Sequence, residues 1–288
     1  MPLLQITLIY LLVGAVGAST YLYLEGALWW RFLGADIAMT VVTYAFSVLK
    51  RNSSVYDAYW SVIPFYFVVG LALVTDVTSW SWPQWAYVVV VSTWSWRLTY
   101  NWARSWPGWH HEDWRYVNFR NQFGAAFQLV NFSGIHAYPT AIVFLSSVGM
   151  FWVAVPDTEI AWLHALGLVT ASLGVWLEFV ADNQLVAFRR APERQKKDIL
   201  QQGLWGMVRY PNYLGEILFW VGLVFCGFGA GAPPWTAAGA TGMIIMFLFA
   251  SIPMKEKRML QRRPHFSEVQ QRIPMLLPWK GLRPGAKT

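Results

Sequence analysis

Residues 3–24, 121–156 and 217–254 contain no Asp, Glu, Lys or Arg at all. A soluble domain carries about 25% charged residues spread along its length; this chain of 288 residues has 13%, against 56% hydrophobic. About 20 apolar residues are enough to cross a bilayer, because about 30 Å of hydrocarbon is spanned at about 1.5 Å per residue. The chain is therefore read as all-α, a polytopic transmembrane helical bundle. Nineteen Trp, 18 Phe and 13 Tyr suit aromatic belts at both interfaces.

Charges bound eight expected spans: 3–24, 28–49, 58–75, 77–96, 137–155 and 160–177, then two within 217–254, parted by the GAGAPP turn that ends at Pro234. The stretch 121–135 reads as interfacial or re-entrant, since 36 uncharged residues at helical rise would be about 54 Å long, too much for one span. No basic residue precedes the first span, which reads as a retained helix rather than a leader. The expectation is a single integral membrane domain over 1–288, with N-terminal helices in 1–56 and a core in 57–279. With both termini on one side, that side receives every one of the 22 Lys and Arg except Arg31, and the other connections hold Glu25, Asp76, Asp157 and Glu159. The positive-inside rule makes the basic side cytoplasmic, so the chain is N-in and C-in, as in a bacterial inner membrane.

Several classes drop out. The single Cys226 can form neither an internal disulfide nor a thiolate metal site. The five His lack the HxxxH spacing of membrane di-iron enzymes, so no metal is expected. The Gly227–Gly231 run lies in a membrane hairpin without a preceding strand and is no dinucleotide fingerprint. No domain is present that would offer bases a reading surface, so nucleic acid is not an expected partner. The basic segments around 189–209 and from Lys255 onward suit either anionic lipid headgroups or a polyanionic ligand held through Arg. Carboxylates within helices are costly and hence functional candidates: Asp36, Asp57, Glu178 with Asp182, and Glu216. Glu178 and Asp182 share one helix face and repel unless a cation or donor sits between them.

The densest motif is GLWGMVRYPNYLGE, residues 203–216. Pro211 can begin a helix whose first turns carry Asn212, Tyr213 and Glu216, with Gly215 leaving room for a close approach. This motif resembles the C-terminal signature of the steroid 5α-reductase family, in the bacterial branch described by a domain of unknown function, with Tyr210 standing where that pattern has His. HEDWRYVNFR (111–120), GIHAYPT (134–140) and PMKEKRMLQRRP (253–264) are similar to the same branch, and the resemblance covers about 57–279. It implies hydride transfer from NADPH to a carbon–carbon double bond beside a carbonyl in a lipophilic, steroid- or isoprenoid-like substrate. It also implies that Asn212 and Glu216 hold the nicotinamide end, and that Asp182, Arg189 and Arg97 serve the cofactor. Arg104, Arg209, Tyr210 and Tyr213 join that cofactor set. The animal enzymes polarise the carbonyl with a Gln-Glu pair and a Tyr; here Asp57 with Tyr59 is the nearest equivalent, and Trp94 occupies the Tyr position.

Hydride addition builds negative charge on the carbonyl oxygen, which calls for a proton donor in an apolar site. Asp57 fits that demand, and Tyr59 or Tyr100 can donate instead. The related RHPxYxG turn also occurs in isoprenylcysteine and phospholipid methyltransferases, so an S-adenosylmethionine-dependent methyltransferase is the alternative. A non-enzymatic lipid carrier is the third reading. In each case the partners are a lipophilic small molecule and membrane lipids.

Overall fold

Each long uncharged run becomes a helix, and the breaks fall where glycine, proline or charge interrupts it. The computed structural model describes residues 2–155, 161–195 and 197–278, and among these no strand occurs. Its helices are α1 (Pro2–Tyr23), α2 (Leu28–Leu49), α3 (Ser53–Val74), α4 (Trp82–Ser105), α5 (Trp114–Val153), α6 (Trp162–Arg190), α7 (Pro211–Gly229), α8 (Pro234–Arg262) and the short α9 (Phe266–Arg272). Seven of these, all but α4 and α9, are long and apolar enough to cross a membrane. Eight spans were expected. The difference is α4, whose 24 residues are long enough but include Arg97, Arg104 and several Trp, Ser and Thr. Asp157, Glu159 and the chain after 278 lie outside the described residues.

The 121–135 stretch is not a separate segment. It is helical and continuous with the span that follows, inside the 40-residue run of α5. Two irregularities interrupt the run: Gly124 at φ 48°, which only glycine adopts freely and where the regular helix from Trp114 ends, and a π-helical turn at Asn131–Ala137. Gly231, at φ 84°, turns the chain between α7 and α8 in the expected hairpin. α4 starts with a capping box in which Ser81 and Gln84 satisfy each other's backbone N–H groups, so Pro83 costs it nothing.

The tightest helix pair is α6 with α7. A Cβ on Gly174 would lie 2.5 Å from the Gly215 carbonyl oxygen, and one on Gly222 2.5 Å from the Ala171 nitrogen. Small residues let the two backbones touch, the usual way helices pack in lipid, where apolar burial adds little. What Gly215 admits is therefore helix α6, at Gly174 and Glu178.

Contacts between elements separate two ends of the bundle. At one end Asn52 donates to the carbonyls of Trp109 and His111, Glu112 accepts from the Ser53 N–H, and Arg209 reaches Glu256. At the other, Ala161 N–H meets Gly229, the Trp80 indole meets Ala154 and His164 meets Pro83. The basic segments collect at the first end.

Candidate functional site

The 203–216 motif docks onto its neighbours by its own side chains. Leu204 N–H donates to Gln184 Oε1 at 3.0 Å and the Trp205 indole to the Ala181 carbonyl at 2.9 Å, fixing the turn against α6. The Arg209 and Tyr210 N–H groups bond the Pro274 and Met275 carbonyls, so the tail after α9 runs beside the turn. Pro211 opens α7 as expected.

Beneath this turn lies a cluster of charge. The Arg97 guanidinium reaches Glu178 and, at 2.8 Å, Asp182, and Asn101 also donates to Asp182 at 2.7 Å. Arg97 is the cation that the Glu178/Asp182 spacing required. Glu216 accepts from the Trp94 and Trp220 indoles at 3.1 and 2.9 Å. Glu178, Glu216 and Arg97 are all buried. Arg97 and Glu216 thus spend their polar atoms inside the bundle, and neither lines the cavities described next.

Above the cluster a cavity of about 310 Å³ opens between the ends of α6, α7, α8 and α9. Seven cationic side chains line it, among them Arg189, Arg194, Lys255, Arg258 and Arg262, against one carboxylate, Asp198. Tyr210 and Asn212 also line it, and Asn212 Oδ1 is buried with no hydrogen-bond partner. Burial first, and Glu256 beside it, push the Tyr210 phenol up, so it stays protonated. A second cavity of about 560 Å³ shares Trp114, Arg258 and Arg262 with the first and has no acidic wall. The Arg258 guanidinium stacks 3.9 Å from the Trp114 ring, between the two.

The remaining expected residues are dispersed. Arg209 lines the first cavity but binds Glu256 and the Gln270 and Ile273 carbonyls. Tyr213 packs between Tyr210, Phe247 and the Lys255 ammonium. Arg104 is exposed near Tyr100, itself 55% exposed, so Tyr100 faces outward. Asp57 caps no helix: it lies in the 3₁₀ turn Ser53–Ala58 ahead of the regular part of α3. It accepts from Tyr116 Oη at 2.6 Å and lies 3.9 Å from Arg115. Tyr59 turns away from it and donates to Asp36 Oδ1 at 2.7 Å. The single acid–phenol site expected of Asp57 and Tyr59 is two sites, Asp57 with Tyr116 and Asp36 with Tyr59.

Sequence reasoning missed Trp114 and the Lys255, Arg258, Arg262 face as cavity walls, and Trp94 and Trp220 as donors to Glu216. The three-and-four spacing of the α8 cations was a legible sign of one helix face.

Among known proteins the chain is similar to "Uncharacterized protein C594.04c" of Schizosaccharomyces pombe, 26% identical over 267 residues that cover 82% of this chain and 76% of that one. No solved structure matches it. The model of the family described as "Protein of unknown function (DUF1295)" matches residues 43–273, which takes in the Arg97 cluster, the 203–216 turn and most of both cavity walls, and the chain belongs to that family.

Proposed function

We propose that this membrane protein is an NADPH-dependent reductase of an activated carbon–carbon double bond in a lipophilic substrate. The observation that carries the reading is the first cavity: its walls are cationic and suit phosphates, and Tyr210 and Asn212 are among the residues that line it. Asn212 Oδ1 has no hydrogen-bond partner within the protein, so a turn of its side chain toward the cavity would give a ligand amide an acceptor. In this reading Arg189, Arg194, Lys255 and Arg258 hold the phosphates, and Asn212 orients the nicotinamide carboxamide. Tyr210, kept neutral, adds a hydrogen-bonding wall without charge. NADPH, when bound, supplies the hydride. Asp57, paired with Tyr116 and 3.9 Å from Arg115 of the second cavity's wall, is the acid proposed to face the developing charge on the substrate oxygen. The resemblance of 203–216 to the steroid 5α-reductase signature points the same way.

S-adenosylmethionine carries net positive charge, and the cationic walls disfavour it. The test is a thermal shift of the purified protein in detergent, because a ligand that binds only the folded state raises its melting temperature. NADPH is expected to raise it and S-adenosylmethionine to leave it unchanged. A shift with S-adenosylmethionine alone overturns the reading in favour of a methyltransferase.

A further inference from the structure

A second polar centre, absent from the reading above, lies between α2, the start of α3 and the π-helical turn of α5. Asp36, Thr40, Tyr56, Tyr59 and Thr140 are buried there in one continuous set of hydrogen bonds. Tyr59 Oη donates to Asp36 Oδ1 at 2.7 Å, with the Asp36 carbonyl oxygen also within 3.0 Å. Thr40 Oγ1 donates to Tyr59 Oη at 3.0 Å. Thr40 Oγ1 and Thr140 Oγ1 are 3.0 Å apart, and Tyr56 Oη is 2.9 Å from Thr140 Oγ1. Each hydroxyl has one proton to give. Tyr59 gives its proton to Asp36 and Thr40 gives its own to Tyr59, so Thr140 must donate to Thr40 and Tyr56 to Thr140. The proton count leaves one order for the chain: Tyr56 to Thr140 to Thr40 to Tyr59 to Asp36, every donor pointing toward the carboxyl.

The carboxyl end of this row has an unfilled position. Asp36 Oδ2 is buried without a hydrogen-bond partner, and no ion pair reaches Asp36 among the described residues. At the far end the Tyr56 ring stacks on Tyr59 and lies 4.8 Å from the His136 ring, whose Nε2 is also unpartnered. A carboxyl deep in a membrane helix is expensive to keep and by default marks a functional path. Structural hydroxyls in a helix bundle can satisfy themselves on the carbonyl one turn back, as Thr43 does on Met39. Thr40 and Thr140 turn toward each other instead.

We propose that these four hydroxyls are a proton relay and that Asp36 is its terminus. A proton from water enters at Tyr56 Oη, each hydroxyl passes its own proton to the next oxygen, and Asp36 Oδ1 receives the one Tyr59 releases. No electrons move, and the charge of the row changes by one, at Asp36. Rotation of the carboxyl then presents the proton on the unpartnered side, and rotation of the hydroxyls resets the row. Tyr56, the end of the row away from Asp36, lies next in the chain to Asp57, whose partner Arg115 is 39% exposed.

The relay stands apart from the reductase reading, and its test uses neither NADPH nor a substrate. The full-length protein in detergent is moved into heavy water, and the infrared band of the protonated buried carboxyl is followed as it exchanges. Asp36→Asn should abolish that band. Thr140→Val, which keeps the side-chain shape and removes the middle hydroxyl, should leave the band in place and slow its exchange roughly tenfold or more, the factor carried by a barrier rise the size of one lost buried hydrogen bond. Tyr56→Phe should slow it likewise. Thr170→Val, whose hydroxyl bonds its own helix at Leu166, serves as the control and should exchange at the parent rate. The relay is overturned if Thr140→Val and Tyr56→Phe both exchange like the parent, or if the spectrum of Asp36→Asn retains every carboxyl band of the parent.

Discussion

Single side chains here matter through the partners they satisfy. Among the described residues Arg97 is the guanidinium paired with Glu178 and Asp182, and Glu216 adjoins the same cluster. Removing one partner of a buried pair leaves uncompensated charge, at a cost of about 3–5 kcal/mol. Arg97→Gln is therefore expected to lower the melting temperature sharply, with Arg97→Gln/Glu178→Gln recovering part of the loss. A single variant that melts like the parent would show that the cluster does not hold the fold. Asn212 is the contrasting case, since its oxygen has no partner to lose. Asn212→Ala should leave the melting temperature of the free protein unchanged or raised, since it removes a buried acceptor that has no partner. It should weaken NADPH binding by roughly 0.5–1.5 kcal/mol, the net worth of one neutral hydrogen bond, measured by calorimetry. Equal affinity in both proteins would remove Asn212 from the site. Such single roles were only half legible. That Glu178 and Asp182 needed a cation followed from their spacing, but that Arg97 met the need required the crossing of α4 over α6.

Among the helices, the glycines decide which backbones touch. Gly174 and Gly242 are both helical, yet a Cβ at the first meets backbone at 2.5 Å and at the second meets only Ile142 methyl and methylene carbons at 3.6 Å or more. Gly174→Ala is expected to destabilise because the Gly215 carbonyl and Phe219 nitrogen cannot move aside. Gly242→Ala should be neutral or stabilise by about 0.5–1 kcal/mol, the conformational advantage of alanine over glycine in a helix. Thermal melts of the two variants check the pair, and equal shifts would contradict the close α6–α7 contact. Helix existence was readable from apolar length, and the Pro211 start of α7 and the Gly231 turn from local chemistry. The continuity of α5 was not. Length argued against one regular span over 121–156, and the run that forms is interrupted by a positive-φ glycine and a π-helical turn, which no apolar pattern announces.

For the molecule as a whole, the distribution of charge predicts its placement in the bilayer. The segments that contain Arg51, Arg115, Arg194 and Arg258 meet at one end of the bundle. Reporters inserted near Gln195 and fused after Thr288 are both expected to be cytoplasmic by the positive-inside rule. Activity of either reporter on the opposite side would overturn the orientation. The same end holds both cavities, so a cofactor entering them would come from that side. What the sequence determined by itself was whatever depends on runs of neighbouring residues: an all-helical membrane bundle, its approximate spans, a basic end and the 203–216 turn. Lipid imposes these directly, since an apolar run must be helical to satisfy its own backbone. Tertiary structure alone decided which polar groups meet across 23 to 122 residues. It sent Tyr59 to Asp36 rather than Asp57, enclosed Glu216 between two indoles, and joined Thr40 to Thr140. A hydrogen bond reaches only about 3 Å and is set by helix rotation and crossing, so the partners of a buried side chain are fixed by packing rather than by their order in the chain.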